Sequence, residues 1–142
     1  MGKSYGGPGQ YVRSGGGPKG MAYQEQVTGI GRGVEYQVLV QRGGQTSAVR
    51  FDGYARAFAA GRGGYVPARF IDAKDWGAGF LRSLKGNTSI RAEKLEQARK
   101  QLQAAGKRID WVVSDQATAD WVRAWLARNE LKWITVVFRA KK

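Results

Sequence analysis

Cysteine and histidine are both missing from this chain of 142 residues. No disulfide and no Cys- or His-bound zinc can staple it, so the fold must rest on its own apolar core. Hydrophobic residues make up 42% of the sequence, enough for one core at a length typical of a single domain. The same absence limits the chemistry. Thiol nucleophiles, iron–sulfur clusters, Ser-His-Asp triads, His-based ribonuclease chemistry and His-metal nucleases are all excluded. Catalysis, if present, must use carboxylates, amines, hydroxyls or a hard, oxygen-ligated metal ion. Lys and Arg total 24 against 11 Asp and Glu, a formal charge of +13. That balance points to a polyanionic partner: nucleic acid, an acidic protein or an anionic membrane surface. No apolar run approaches the ~20 residues of a membrane span.

Residues 1–20 are Gly-rich and basic and read as a flexible leader or linker; residues 21–142 read as the folded domain. Good helix formers over 21–27 predict a short helix, stopped at Thr28-Gly29. Residues 34–40 predict a strand, 41–45 a hairpin turn, and 48–54 the returning strand. The Gly-rich stretch 55–64 predicts a turn or loop. Residues 65–74 predict a third strand, with Phe70, Asp72 and Lys74 on one face and Ile71 and Ala73 on the other. Residues 75–86 predict a linker or short helix. Thr88 or Ser89 can cap a helix to about Ala105, whose Leu95, Ala98, Leu102 and Ala105 form one apolar stripe. A strand over 108–113 follows. Next comes a helix capped by Ser114 or Asp115, with Ala117, Trp121, Val122, Trp125 and Leu126 on its apolar side. A last strand over 131–138 closes the domain. The order α-β-β-β-α-β-α-β predicts an α/β fold: an antiparallel meander, then crossover units that build a central mixed sheet flanked by helices.

Asp52 ends the second strand, and Asp72-Ala73-Lys74 ends the third. Asp72 and Lys74 leave the same strand face, and pairing of the two strands brings Asp52 beside them. An isolated Asp-x-Lys is common on a solvated strand. Two carboxylates and an amine at one sheet edge suit metal-assisted phosphodiester hydrolysis. The carboxylates hold Mg²⁺ or Mn²⁺, and the lysine positions water or offsets charge in the transition state. Gln97 and Gln101, at i and i+4 on the following helix, could orient substrate or water. Arginines and lysines are scattered along the chain, and several fall in loops around this site, where they could hold phosphates. Trp111, Trp121, Trp125 and Trp133 read as core, whereas Trp76, just past the signature, reads as a base-stacking candidate.

Asp52 with Asp72-Ala73-Lys74 resembles the PD-(D/E)xK signature of restriction-endonuclease-like nucleases. Together with Tyr23-Gln-Glu-Gln-Val-Thr-Gly29, Phe51-Asp-Gly-Tyr54 and Phe70-Ile-Asp-Ala-Lys74, the chain from Ala22 to Phe138 is similar to the restriction-endonuclease-fold toxins of the fifth type. These are C-terminal domains of bacterial polymorphic toxins. The resemblance implies that Asp52 and Asp72 are metal ligands, that the Ala73 carbonyl completes the site, and that Lys74 is the catalytic lysine. It also implies that Glu25, on the first helix, assists the metal. Asp72 stands where glutamate is commoner, and Asp75-Trp76-Gly77 follows where a glycine directly after the lysine is usual. The implied function is a metal-dependent endonuclease acting on DNA as an antibacterial effector. A delivery system would secrete it within a larger polypeptide, to act in the target-cell cytoplasm. An RNA nuclease such as one cutting tRNA, and a non-catalytic basic nucleic-acid-binding module, stay open. A nuclease toxin also needs a cognate immunity protein in its producer, and a +13 chain favours an acidic one.

Overall fold

The computed structural model describes residues 9–13, 21–29, 34–55, 58–60, 64–66, 68–105 and 108–142. Most of the Gly-rich leader and parts of the 55–64 stretch lie outside the described residues. The chain runs β1 (Gln10–Arg13), α1 (Met21–Thr28), β2 (Val34–Arg42), β3 (Gln45–Phe51), β4 (Gly53–Ala55), β5 (Phe58–Ala60), β6 (Gly64–Val66), β7 (Arg69–Lys74), α2 (Ala78–Gly86), α3 (Thr88–Ala105), β8 (Ile109–Val113), α4 (Gln116–Arg128) and β9 (Ile134–Phe138). No helix is long and apolar enough to cross a membrane, among the described residues.

β1, β2 and β3 form an antiparallel sheet. The β2–β3 turn is built on Gly43 and Gly44, whose φ of 54° and 81° match a tight hairpin that L-residues with side chains rarely adopt. A second sheet has the order β4-β7-β8-β9, with β4 antiparallel to β7 and the other neighbours parallel. Parallel neighbours need long crossovers. α2 and α3 supply the one between β7 and β8, and α4 the one between β8 and β9. β5 and β6 make a separate hairpin. The mixed sheet with its crossover helices is therefore the expected α/β architecture.

The element order departs from the expectation in instructive ways. A strand appears at Gln10–Arg13, inside the stretch read as leader; four residues in a Gly-rich segment carry too little alternation to be legible. The strand read as 48–54 is broken at Asp52. Phe51 still pairs with Tyr36 in the first sheet, whereas Gly53 already pairs with Ile71 in the second. The strand read as 65–74 is likewise divided between β6 and β7. The meander is thus spread over three sheets instead of one: β2 and β3 in the first, β4 and β7 in the second, and β6 with β5 in the third. Asn87, not Thr88 or Ser89, caps α3, its Oδ1 accepting from the Ile90 N–H at 3.1 Å. Asp115 caps α4, accepting from the Thr118 N–H at 3.0 Å.

An aromatic cluster fixes the point where the chain changes sheets. Tyr36 and Phe51 come from the first sheet, Tyr54 and Phe70 from the second. Phe51 and Phe70 lie 4.4 Å apart between centroids, and Tyr36 stacks on Tyr54 at 5.2 Å. Tyr36, Phe51 and Phe70 are essentially inaccessible to water. Each ring buries a large apolar area, so the joint resists splaying. Asp52 sits on this joint and inherits its rigidity. The rest of the core lies under the crossover helices, around Leu84, Ala98, Ile109, Trp111, Val122, Trp125 and Leu126. Trp133 is 68% exposed, and Ala117 is also exposed, so neither belongs to the core read for it.

Candidate functional site

The alternation of β7 puts Phe70, Asp72 and Lys74 on the buried side. Asp72 and Lys74 keep only 5% and 7% of their surface. Burial of both charged groups is tolerated because they pair: Lys74 Nζ lies 2.6 Å from Asp72 Oδ2. The ammonium also stands 4.6 Å from the Trp111 ring centroid and 5.2 Å from that of Trp76, held over their π faces. Gln97 Oε1 accepts a further bond from Lys74 Nζ at 3.1 Å.

Asp52 meets the pair from the sheet joint. Its backbone N–H donates to Asp72 Oδ1 at 3.2 Å, and its own Oδ2 accepts from the Ala73 N–H at 2.6 Å. The two carboxylates are thus laced together through each other's strands. Burial, and then the neighbouring Asp72 charge, push the Asp52 carboxyl up to about 8 against the opposing pull of the Ala73 N–H and Lys74. Gln101 Nε2 donates to Asp72 Oδ2 at 3.1 Å, so three donors from three segments converge on the Asp72 carboxyl.

Asp52, Asp72, Lys74, Gln97 and Gln101 line one cleft of about 850 Å³ between α3, the β2–β3 hairpin and the end of β7. Glu25 is not brought there. It is exposed on α1, and its neighbour Gln24 lines the cleft instead, because one residue along a helix turns the side chain by ~100°. Trp76 is 9% exposed, stacked on Phe80 at 4.8 Å and edge-on to Trp111 at 5.6 Å, so it is not a free platform for a base. Sequence reasoning missed Asp75, which also lines the cleft. It accepts from Ser114 Oγ at 2.8 Å and pairs with Lys141 at 2.8 Å. It also missed the place of Trp111 beside Asp72, which the parallel β7–β8 register creates.

The cleft is less basic than the chain. Six of the chain's 11 acidic residues line it: Glu35, Asp52, Asp72, Asp75, Glu93 and Glu96. Its four cations each face a carboxylate. Besides Lys74–Asp72, these are Arg50–Glu35 at 3.9 Å, Lys94–Glu93 at 3.4 Å and Lys100–Glu96 at 3.2 Å.

The donor set bears on the metal ion that this chemistry implies. Among the described residues no group of three or more acidic side chains is placed to hold a metal. Two laced carboxylates at an open cleft nonetheless fit Mg²⁺, which usually takes one or two carboxylates and fills its shell with water and phosphate oxygens. Asp52 and Asp72 would hold it.

A mixed sheet with crossover helices, carrying two aspartates and a lysine where the chain changes sheets, defines a restriction-endonuclease-like class. The family model for restriction endonuclease fold toxin 5 matches residues 20–116, and the chain belongs to that family. The match runs from α1 to the first residue of α4, so it contains the whole Asp52–Asp72–Lys74 cluster with Gln97 and Gln101. No curated protein and no solved structure matches the chain.

Proposed function

We propose that this toxin domain is a metal-dependent endonuclease that hydrolyses phosphodiester bonds of DNA. The observation that carries the reading is the convergence of Asp52, Asp72 and Lys74 at one cleft. Asp52 and Asp72 hold Mg²⁺ or Mn²⁺. An ion held by them would supply Lewis acidity toward the scissile phosphate and would acidify a water. Lys74 stands over Trp76 and Trp111, where its ammonium holds the attacking water and offsets the charge that grows on the phosphate oxygens. Gln97 keeps the ammonium in place through its 3.1 Å bond. Gln101 orients Asp72. Glu25 has no part in this reading.

The domain acts as an antibacterial effector. A delivery system secretes it as part of a larger polypeptide, and it works in the target-cell cytoplasm. The producer blocks it with an acidic immunity protein, whose approach the +13 charge accelerates at low salt.

The test is incubation of plasmid DNA and of total RNA with the protein, in Mg²⁺ and in chelator. The expected result is nicked and linear plasmid in Mg²⁺ and intact plasmid in chelator. Degradation of RNA with intact plasmid would move the domain to an RNA nuclease. Retardation of DNA without cleavage, unchanged by metal, would make it a binding module.

A further inference from the structure

Trp111 is wholly buried at the centre of β8, and by position it looks like core. Its indole N–H, however, is not spent on packing. It donates to Gln101 Oε1 at 2.9 Å, and Gln101 Nε2 donates to Asp72 Oδ2 at 3.1 Å. Gln101 is itself only 1% exposed, so its amide is directed by protein partners.

The chemistry of the indole decides the order of this chain. An indole N–H can only donate, so the Gln101 amide must turn its oxygen toward Trp111. The amide nitrogen is then obliged to face Asp72. Turned the other way, the amide would set oxygen against carboxylate and N–H against N–H. Two weaker alignments agree: Gln101 Nε2 also reaches the Arg50 carbonyl at 3.4 Å, and Trp111 is the β8 register partner of Asp72. The same indole offers its face to Lys74 Nζ at 4.6 Å. One side chain thus touches Lys74 with its ring and, through Gln101, reaches Asp72 with its N–H.

We infer that Trp111 is a positioning residue of the cleft, acting through the Gln101 amide to fix the Asp72 carboxyl. This deepens the nuclease reading and rests on it for its kinetic test. Trp111→Phe keeps a ring beneath Lys74 and removes the N–H. Gln101→Met keeps the length of the side chain and removes the amide. Each single variant should lower kcat for DNA cleavage about 10- to 100-fold with KM within about twofold, as partners behind metal-holding groups commonly do. The double variant should be no slower than the slower single, because both changes break one chain. Gln101→Glu, which still accepts from Trp111 but cannot donate to Asp72, should be as slow as Gln101→Met. Losses that multiply in the double variant, or a Trp111→Phe protein with unchanged kcat and a lowered Tm, would overturn the inference and make Trp111 core alone.

A second readout needs no cleavage. The indole N–H resonance that disappears in Trp111→Phe should shift when Asp72→Asn is introduced into the metal-free protein. In the Gln101→Met background, where only the contact through Lys74 still joins the two residues, the same change should shift that resonance much less. A shift of equal size in both backgrounds would contradict the link. If the wild type cut no nucleic acid, the nuclease reading would fall while this resonance still decided the link.

Discussion

Asp52 is the residue on which electrostatics and geometry meet. Burial beside Asp72 lifts its carboxyl to about 8 from an ordinary 3.8. Between those values the metal-free folded chain keeps a proton that the unfolded chain has released. Its contribution to stability therefore falls as pH rises from about 4 to about 8. Denaturant unfolding in chelator at pH 5 and pH 8 should show this fall, and Asp52→Asn should flatten it. An equal fall in the variant would place its origin elsewhere. At this scale much of the placement of the candidate site was legible in sequence. Asp72 and Lys74 follow from strand alternation, and Gln97 and Gln101 from helix spacing, since all of these rules are local. The position of Glu25 outside the cleft lining was not legible, because a short helix with little apolar contrast does not reveal its rotation. Trp111 was not legible as a partner of Asp72, because parallel register joins residues 39 apart.

The elements place these residues through the passage from β3 to β4. Gly53 makes that passage against α1: a Cβ there would lie 3.1 Å from Thr28 Cγ2 and 3.2 Å from Thr28 Cβ. Gly53→Ala should therefore push α1 and β4 apart, at a cost of about 1–3 kcal/mol in denaturant unfolding, and slow cleavage by moving Asp52. Gly86→Ala, in the last turn of α2, meets nothing within 4 Å and is the control, which should cost far less. Equal stability of the two variants would show that the joint is not tight. α3 and α4 were readable because they run for 18 and 13 residues with an apolar stripe, and β8 and β9 because each is a short apolar run bounded by polar residues. The break at Asp52 was not, since Ala48 to Tyr54 alternates as one strand would and only the two partner strands reveal the change of sheet. Tertiary pairing, not local preference, sets that boundary.

Across the whole molecule, charge is divided between a basic exterior and a cleft whose cations already have carboxylate partners. Glu93 and Glu96 are the most exposed of those partners, at 73% and 66% of their side chains. Exposed pairs of this kind contribute little to stability, so they can open for phosphate. Glu93→Gln with Glu96→Gln should free Lys94 and Lys100 and tighten binding of an oligonucleotide in chelator. The dependence of log K on log salt should steepen by about 1–2, and folding should be unchanged. Asp120→Asn frees Arg123 on α4, outside the cleft, and should tighten binding less. The cleft variant adds two charges and the control one, so a control effect of half the size or more would mean that only net charge matters. The division also bears on the acidic immunity protein proposed above, whose charge would be drawn to the exterior. If Asp52, Asp72 and Lys74 cut phosphodiesters together, the rate of plasmid cleavage by Lys74→Ala beside the wild type in Mg²⁺ reports it. The expected loss is at least about 10²–10³-fold, the scale of removing one preorganised charge partner from a transition state, in a protein whose circular dichroism is unaltered. A folded Lys74→Ala protein that cuts plasmid at the wild-type rate would contradict it.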